Sequence, residues 1–111
     1  MNIEVINSIT IIHPGRTILQ SDSDELRKLF EDLYNKKTNT IIMNLLDTDH
    51  ICSSALGHMV FMRNRVQENF GDVKLVVQDE DLLELMDITM LNLVFEIYSS
   101  IGSALEAFEK K

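Results

Sequence analysis

Carboxylates, an imidazole, a thiol and neighbouring serine hydroxyls crowd into one stretch, Asp47-Thr48-Asp49-His50-Ile51-Cys52-Ser53-Ser54-Ala55-Leu56-Gly57. Such a set suits nucleophilic catalysis, metal binding, thiol chemistry or a charge switch, and the spacing discriminates among them. A Ser-His-Asp hydrolase carries its nucleophile on a sharp strand-to-helix elbow of the G-x-S-x-G type. Cys52-Ser53-Ser54-Ala55-Leu56 does not read that way. His50, Cys52, His58 and Asp49 match no familiar zinc spacing, and no second cysteine exists to help, so no metal and no cofactor are expected. The chain has no G-x-x-x-x-G-K-S/T phosphate loop, so nucleotide binding by that route is not expected. Cys52 reads as a thiol activated by a helix N-terminus or as a small apolar filler between strand and helix. The serines also read two ways. They only cap a helix, or one of them carries a phosphoryl group, which the unpaired N–H groups and partial positive charge of a helix N-terminus would stabilise.

These readings depend on the elements that position the stretch. Just before it, Thr40 to Leu46 (TIIMNLL) is a continuous apolar run of strand length, the pattern of a strand buried on both faces. Just after, Ser53 or Ser54 opens a helix running to about Asn69, with Leu56, Met59, Val60, Arg63 and Val66 on one side. Phe61 and Met62 fall off that stripe and read two ways, as plain packing or as exposed side chains that contact a partner. Upstream, Ile3, Val5 and Ile9 to Ile12 form two short strands with a turn at Asn7-Ser8, and Pro14-Gly15 ends the second. A helix follows from about Ser23 to Lys36, capped by Asp22 or Ser23, with Leu26, Leu29, Phe30 and Leu33 on its apolar face. Downstream, Gly71-Asp72 is a turn and Val73 to Val77 a strand. Asp79 to Asp87 is a short helix with Leu82, Leu83, Leu85 and Met86 inward, and Leu93 to Ile97 a last short strand. Ser99 or Ser100 caps a final helix whose stripe is Ile101, Ala104, Leu105 and Phe108. The order β-β-α-β-α-β-α-β-α predicts an α/β domain with a mostly parallel central sheet of about four or five strands and about four helices.

The bulk properties narrow the function. The 111 residues, 45% apolar and 25% charged, suit one domain spanning positions 1–111 with a single core. A net charge of −8 repels duplex nucleic acid and anionic membranes and attracts basic surfaces. One cysteine allows no internal disulfide and is compatible with a reducing cytoplasm. Met1 to Thr10 carries no secretory pattern, and no apolar run is long enough to insert in a membrane, so a cytoplasmic location is expected.

Three local patterns, in this order and at this length, make the whole chain resemble a STAS domain of the SpoIIAA-like kind, the module of bacterial anti-sigma factor antagonists and of sulphate transporter tails. The first is the buried strand Ile41 to Leu46, then an acidic turn and Cys52-Ser53-Ser54-Ala55-Leu56-Gly57, where the family typically has Asp-Ser-Ser/Thr/Ala-Gly-Leu-Gly. The second is Asp24-Glu25-Leu26-Arg27-Lys28-Leu29. The third is the close Ile97-Tyr98-Ser99-Ser100-Ile101-Gly102-Ser103-Ala104-Leu105. Cys52 stands where the family usually has Asp, Ala55 where it often has Gly, and Arg16-Thr17-Ile18 where a Glu-Leu-Asp is usual.

The resemblance implies a non-enzymatic anti-sigma factor antagonist. It would bind an anti-sigma factor that is also a serine kinase, be switched off by phosphorylation at Ser54 (second choice Ser53), and be restored by a phosphatase. The partner surface is then expected to comprise Asp49, His50, Ser53, Ser54, Ala55, His58, Phe61 and Met62, on a monomer or weak dimer. The alternative is a STAS adaptor without phosphorylation, a subunit of a lipid-transport ATPase or a signalling scaffold.

Overall fold

Asn7 and Ser8 both take left-handed backbone, with φ of 52° and 68°. Two such residues in succession give the turn whose twist matches a two-residue hairpin. In the computed structural model, which describes residues 1–110, they join β1 (Asn2–Ile6) to β2 (Ile9–His13) with Ile6 opposite Ile9. The chain continues through β3 (Thr17–Ile18), α1 (Ser23–Asn35), β4 (Thr40–Asn44), β5 (His50–Ile51) and α2 (Ser53–Gln67). It ends with β6 (Asp72–Val76), α3 (Glu80–Ile88), β7 (Ile97–Tyr98) and α4 (Ile101–Glu109). The main sheet has five strands in the order β1-β2-β4-β6-β7, and only β1 runs antiparallel to its neighbour. This is the α/β, mostly parallel, four-helix architecture the sequence predicts.

Successive side chains of a strand point to opposite faces. Ile12 of β2, Ile41 and Met43 of β4, and Val73 and Leu75 of β6 join one core with Leu26, Phe30, Met59 and Met86 from α1, α2 and α3. Ile9, Ile11, Ile42 and Val76 point the other way, onto Ala104 of α4. The run Ile41-Ile42-Met43 is therefore buried on both faces, as its uninterrupted apolar character requires.

The differences from the sequence reading have physical causes. The expected strand at Leu93 to Ile97 is shifted: Leu91–Leu93 makes a 3-10 turn, and only Ile97–Tyr98 pairs with β6. Leu83 is exposed, because α3 is held by Leu82 and Met86 alone at its fully buried positions. On α2 the buried row is Ala55, Met59, Met62 and Val66. Alanine is small enough to bring the helix close to the sheet, and from Ala55 the intervals of four, three and four residues put Met62 inside.

Lys74 sits on the α4 side of the sheet with its side chain almost fully covered. Its Nζ donates to Asp72 Oδ2 at 3.1 Å and to Glu96 Oε1 at 2.8 Å, and lies 4.6 Å from the centroid of the Phe108 ring. Burial works to lower the Lys74 pKa, but the hydrogen bonds to Glu96 and Asp72 outweigh it and raise it above 10.5. The Lys74 ammonium, followed by the Tyr98 hydroxyl, holds Glu96 below 4.5. The lysine's contribution is thus fully present below its unfolded pKa and lost as pH rises through the raised value. The glutamate's is present above its unfolded pKa and lost as pH falls through the lowered one. Lys74→Met is expected to cost about 2 kcal/mol at neutral pH. The gap from the wild type in urea unfolding should narrow as the solution is acidified below about pH 4.

The end of α2 is closed by a Schellman turn: the Phe70 N–H donates to Gln67 O at 3.1 Å and the Gly71 N–H to Val66 O at 2.8 Å, with Phe70 at φ 62°. Gly71 then passes against Asn39, where β4 begins. A Cβ at Gly71 would overlap the Asn39 carbonyl oxygen and lie 2.6 Å from Asn39 Cβ.

Candidate functional site

The chemistry-bearing stretch leaves β4 at the carboxyl end of the parallel strands, where ligands and partners generally meet such folds. It is not a free loop. β5 pairs in parallel with β3, Thr17 opposite His50 and Ile18 opposite Ile51. The Asp49 N–H donates to Arg16 O at 2.9 Å and the Cys52 N–H to Ile18 O at 2.8 Å. The Thr48 hydroxyl donates to the Gly15 carbonyl, and Arg16 Nε to Asp49 Oδ2 at 3.2 Å. This small clasp ties the loop after β2 to the loop after β4. Two-residue strands are too short to show a period, so the sequence gives no sign of them.

The clasp delivers the start of α1 to the start of α2. After Ile18 the chain makes a 3-10 turn, Gln20–Asp22, and α1 begins at Ser23. Ser54 Oγ thereby lies 2.7 Å from the buried Ser23 Oγ and 3.0 Å from Gln20 Oε1, with Cys52 Sγ at 3.5 Å. Ser54 is half-buried and Ser53 exposed.

Neither serine caps the helix, which overturns the simpler sequence reading. The N-cap of α2 is Cys52, and among the described residues no side chain accepts from the first-turn amides. Nor does Asp22 cap α1: its carboxylate accepts from the Leu19 N–H at 2.8 Å, stabilising the preceding turn. The contrast with the other helices is clear, because Asp79 caps α3 through the Leu82 N–H at 2.9 Å and Ser100 caps α4 through the Ser103 N–H at 3.1 Å. The start of α1 continues from the 3-10 turn, with the Ser23 N–H donating to Gln20 O and with Asp24 and Glu25 in its first turn, so it is the amino end of α2 that offers a positive helix end to an anion at Ser54.

The remaining candidates separate. Asp49 is exposed and paired with Arg16, His50 is exposed, and Cys52 and His58 are half-buried. Phe61 is 62% exposed, as expected. Ala55 and Met62 are corrected: at 0% and 1% exposure they are core residues, and Met62 reaches the surface only as part of the floor of a cavity between α1 and α2. Gln20 and Ser23 belong to the site and were not assigned to it from sequence. Ser23 reads as a cap, and Gln20 carries no pattern at all.

Among the described residues no imidazole or carboxylate is hydrogen-bonded to Ser54. A serine nucleophile is ordinarily activated by such a base. Nor, among the described residues, does any group of three or more His, Cys, Asp or Glu side chains stand where it could hold a metal ion. No described helix is long and apolar enough to cross a membrane.

Comparison with known proteins bears on the family and the fold. The family model for the STAS domain matches residues 1–104. A Thermotoga maritima protein provisionally named an anti-sigma factor antagonist is 25% identical over 109 residues, covering 97% of this chain and 96% of that protein. The crystal structure of a Thermotoga maritima protein with the same provisional name superposes with a TM-score of 0.91 at 24% identity, over 98% of this chain and 94% of that one. The anti-sigma factor antagonist SpoIIAA in its unphosphorylated form gives 0.80 at 12% identity, over 99% and 98% of the two chains. The Bacillus cell fate determinant SpoIIAA in its phosphorylated form gives 0.76 at 14%, over 96% and 97%. These structural likenesses show the fold.

Proposed function

The chain belongs to the STAS domain family, and from that premise we propose that it is an anti-sigma factor antagonist, a cytoplasmic binding protein rather than an enzyme, switched by phosphorylation of Ser54. The whole of 1–111 acts as one STAS domain in this reading. Its partners are an anti-sigma factor with serine kinase activity and a phosphatase. The observation that carries the proposal is the state of Ser54: a half-buried hydroxyl at the uncapped start of α2, with its bonds made to Gln20 and Ser23. A phosphoryl group on that oxygen adds between one and two negative charges and several strong acceptors. It would take up the free first-turn amides of α2 and displace the Gln20 contact, changing both the charge and the shape of the surface beside it. Relatives with the same domain are named anti-sigma factor antagonists, and SpoIIAA is known in a phosphorylated form, which supports the reading.

Incubation with the kinase-type anti-sigma factor and ATP should add one phosphoryl group, mapped by mass spectrometry to Ser54 and absent in Ser54→Ala. Ser54→Asp should weaken the complex at least about tenfold. The contacts of Ser54 with Gln20 and Ser23 also favour a second reading, a constitutive STAS adaptor in an ATPase or scaffold complex, because the hydroxyl is already committed within the chain. An unmodified Ser54 together with unchanged binding by Ser54→Asp would count against the first reading, and co-purification with an ATPase, insensitive to Ser54 substitution, would favour the second.

A further inference from the structure

Ser54, His58, Phe61 and Arg65 recur at intervals of four, three and four residues on α2, so they form one row along the helix. Ser23, Arg27, Phe30 and Tyr34 recur at the same intervals on α1. The rows face each other. Ser23 and Ser54 are bonded at one end at 2.7 Å, and at the other the Arg65 guanidinium lies 3.6 Å from the centroid of the Tyr34 ring. Between them is a partly open cavity of about 190 Å³, with Phe30 and Met62 buried at its base and Arg27, His58, Phe61 and Arg65 around it. That volume falls below the roughly 300–1,000 Å³ of sites that enclose a small-molecule ligand, and suits a single inserted side chain.

The charges around the cavity are unequal in what they have left to bind. Arg27 is occupied by Asp24 at 2.7 Å and by Glu31, on the rim, at 3.3 Å. Arg65 makes no ion pair among the described residues, so the groove presents a local cation on a chain whose net charge of −8 otherwise favours basic surfaces. It is held instead against Tyr34 and, at 5.3 Å, the exposed Phe61 ring. Stacking on rings fixes a guanidinium while leaving its N–H edge for a carboxylate.

We infer that the groove between α1 and α2 is a docking site for an acidic amphipathic helix of the protein partner, which inserts an apolar side chain beside Phe61 and sets a carboxylate on Arg65. The mode is a helix laid in a hydrophobic groove, with an aromatic and an arginine as its anchors. The identity of the partner as the protein that covers Ser54 rests on the proposed function. His58 of the cavity wall stands one helical turn from Ser54, and a phosphoryl group on Ser54 would repel an acidic segment lying along α2, which gives the switch its sign.

The probe is a synthetic capped peptide of about four helical turns, with Leu and Phe on one face and Glu beside them, compared with the same peptide carrying Lys for Glu. The acidic peptide should shift the amide resonances of Arg27, His58, Phe61 and Arg65. Its affinity should fall about tenfold in Phe61→Ala and in Arg65→Glu, while the Lys peptide binds the wild type at least about tenfold more weakly and recovers on Arg65→Glu. Absence of binding, equal affinity of the two peptides, indifference to both substitutions, or shifts elsewhere would overturn the assignment. So would self-association of the wild type that Phe61→Ala abolishes, which gives the groove to a second copy. Ser54→Asp separates the two proposals. If it binds the acidic peptide as the wild type does while the groove variants do not, the groove stands and the Ser54 switch fails. If Ser54 is phosphorylated and the peptide ignores Phe61 and Arg65, the switch stands and the groove fails.

Discussion

Met62→Ala should cost about 2–5 kcal/mol of folding stability, whereas Phe61→Ala, one residue away, should change it by less than about 0.5. The contrast follows from the phase of α2. Met62 is 1% exposed, in the buried row with Ala55, Met59 and Val66, and its truncation leaves a void that the sheet and α1 cannot fill without moving. Phe61 points to solvent from the next position, and its loss removes nothing that the core needs. A small domain is stable by only about 5–15 kcal/mol, so the first variant loses a large share and the second almost none. Urea unfolding of both measures the difference. A Met62→Ala loss below about 1 kcal/mol would mean that α2 is rotated from the orientation described, and the groove with it.

Gly71→Ala should be comparably damaging, at about 3 kcal/mol, at the top of the range for overpacking a site that cannot relax. The obstacle is backbone: the added methyl runs into the Asn39 carbonyl oxygen, which also accepts the Asp72 N–H at 2.9 Å. Asn39 is fixed further by its side chain, whose Nδ2 donates to Asn69 O at 2.8 Å. Any shift that admits the methyl would disturb the Thr40–Asp72 register with which β4 and β6 begin to pair. Close approach explains this glycine, not left-handed backbone, since the left-handed position of the turn is held by Phe70. Thermal unfolding should show a large fall in the midpoint; a change within about 0.5 kcal/mol would show that Asn39 gives way.

The fold was legible because its elements carry strong and separate periodicities. TIIMNLL has the uninterrupted apolar character that suits a strand covered on both sides, although the strand itself stops at Asn44, and the alternation of such runs with amphipathic segments left few topologies open. The ends of elements were less legible. Leu93 to Ile97 has the composition of a strand, but Leu91–Leu93 curls into a 3-10 turn before pairing begins. The phase of α2 was misread because a stripe counted from large side chains passes over Ala55. The placement of Ser54 at the start of α2 could be read from local pattern, and its surroundings could not. Gln20 and Ser23 reach it across 34 and 31 residues of chain, through strands too short to show a period. Nothing in either segment names the other.

That separation along the chain bears on when Ser54 can be recognised. The clasp of β3 on β5 joins segments 33 residues apart, Thr17 with His50, and no contact within either segment anticipates it. Non-local pairings of this kind form only once the loop between them has closed, late relative to helices. A nascent or chaperone-held chain would present Ser54 without Gln20 or Ser23 beside it. An enzyme or partner that reads all three together would therefore act on finished molecules and pass over incomplete ones, so that only folded copies would enter the regulatory pool.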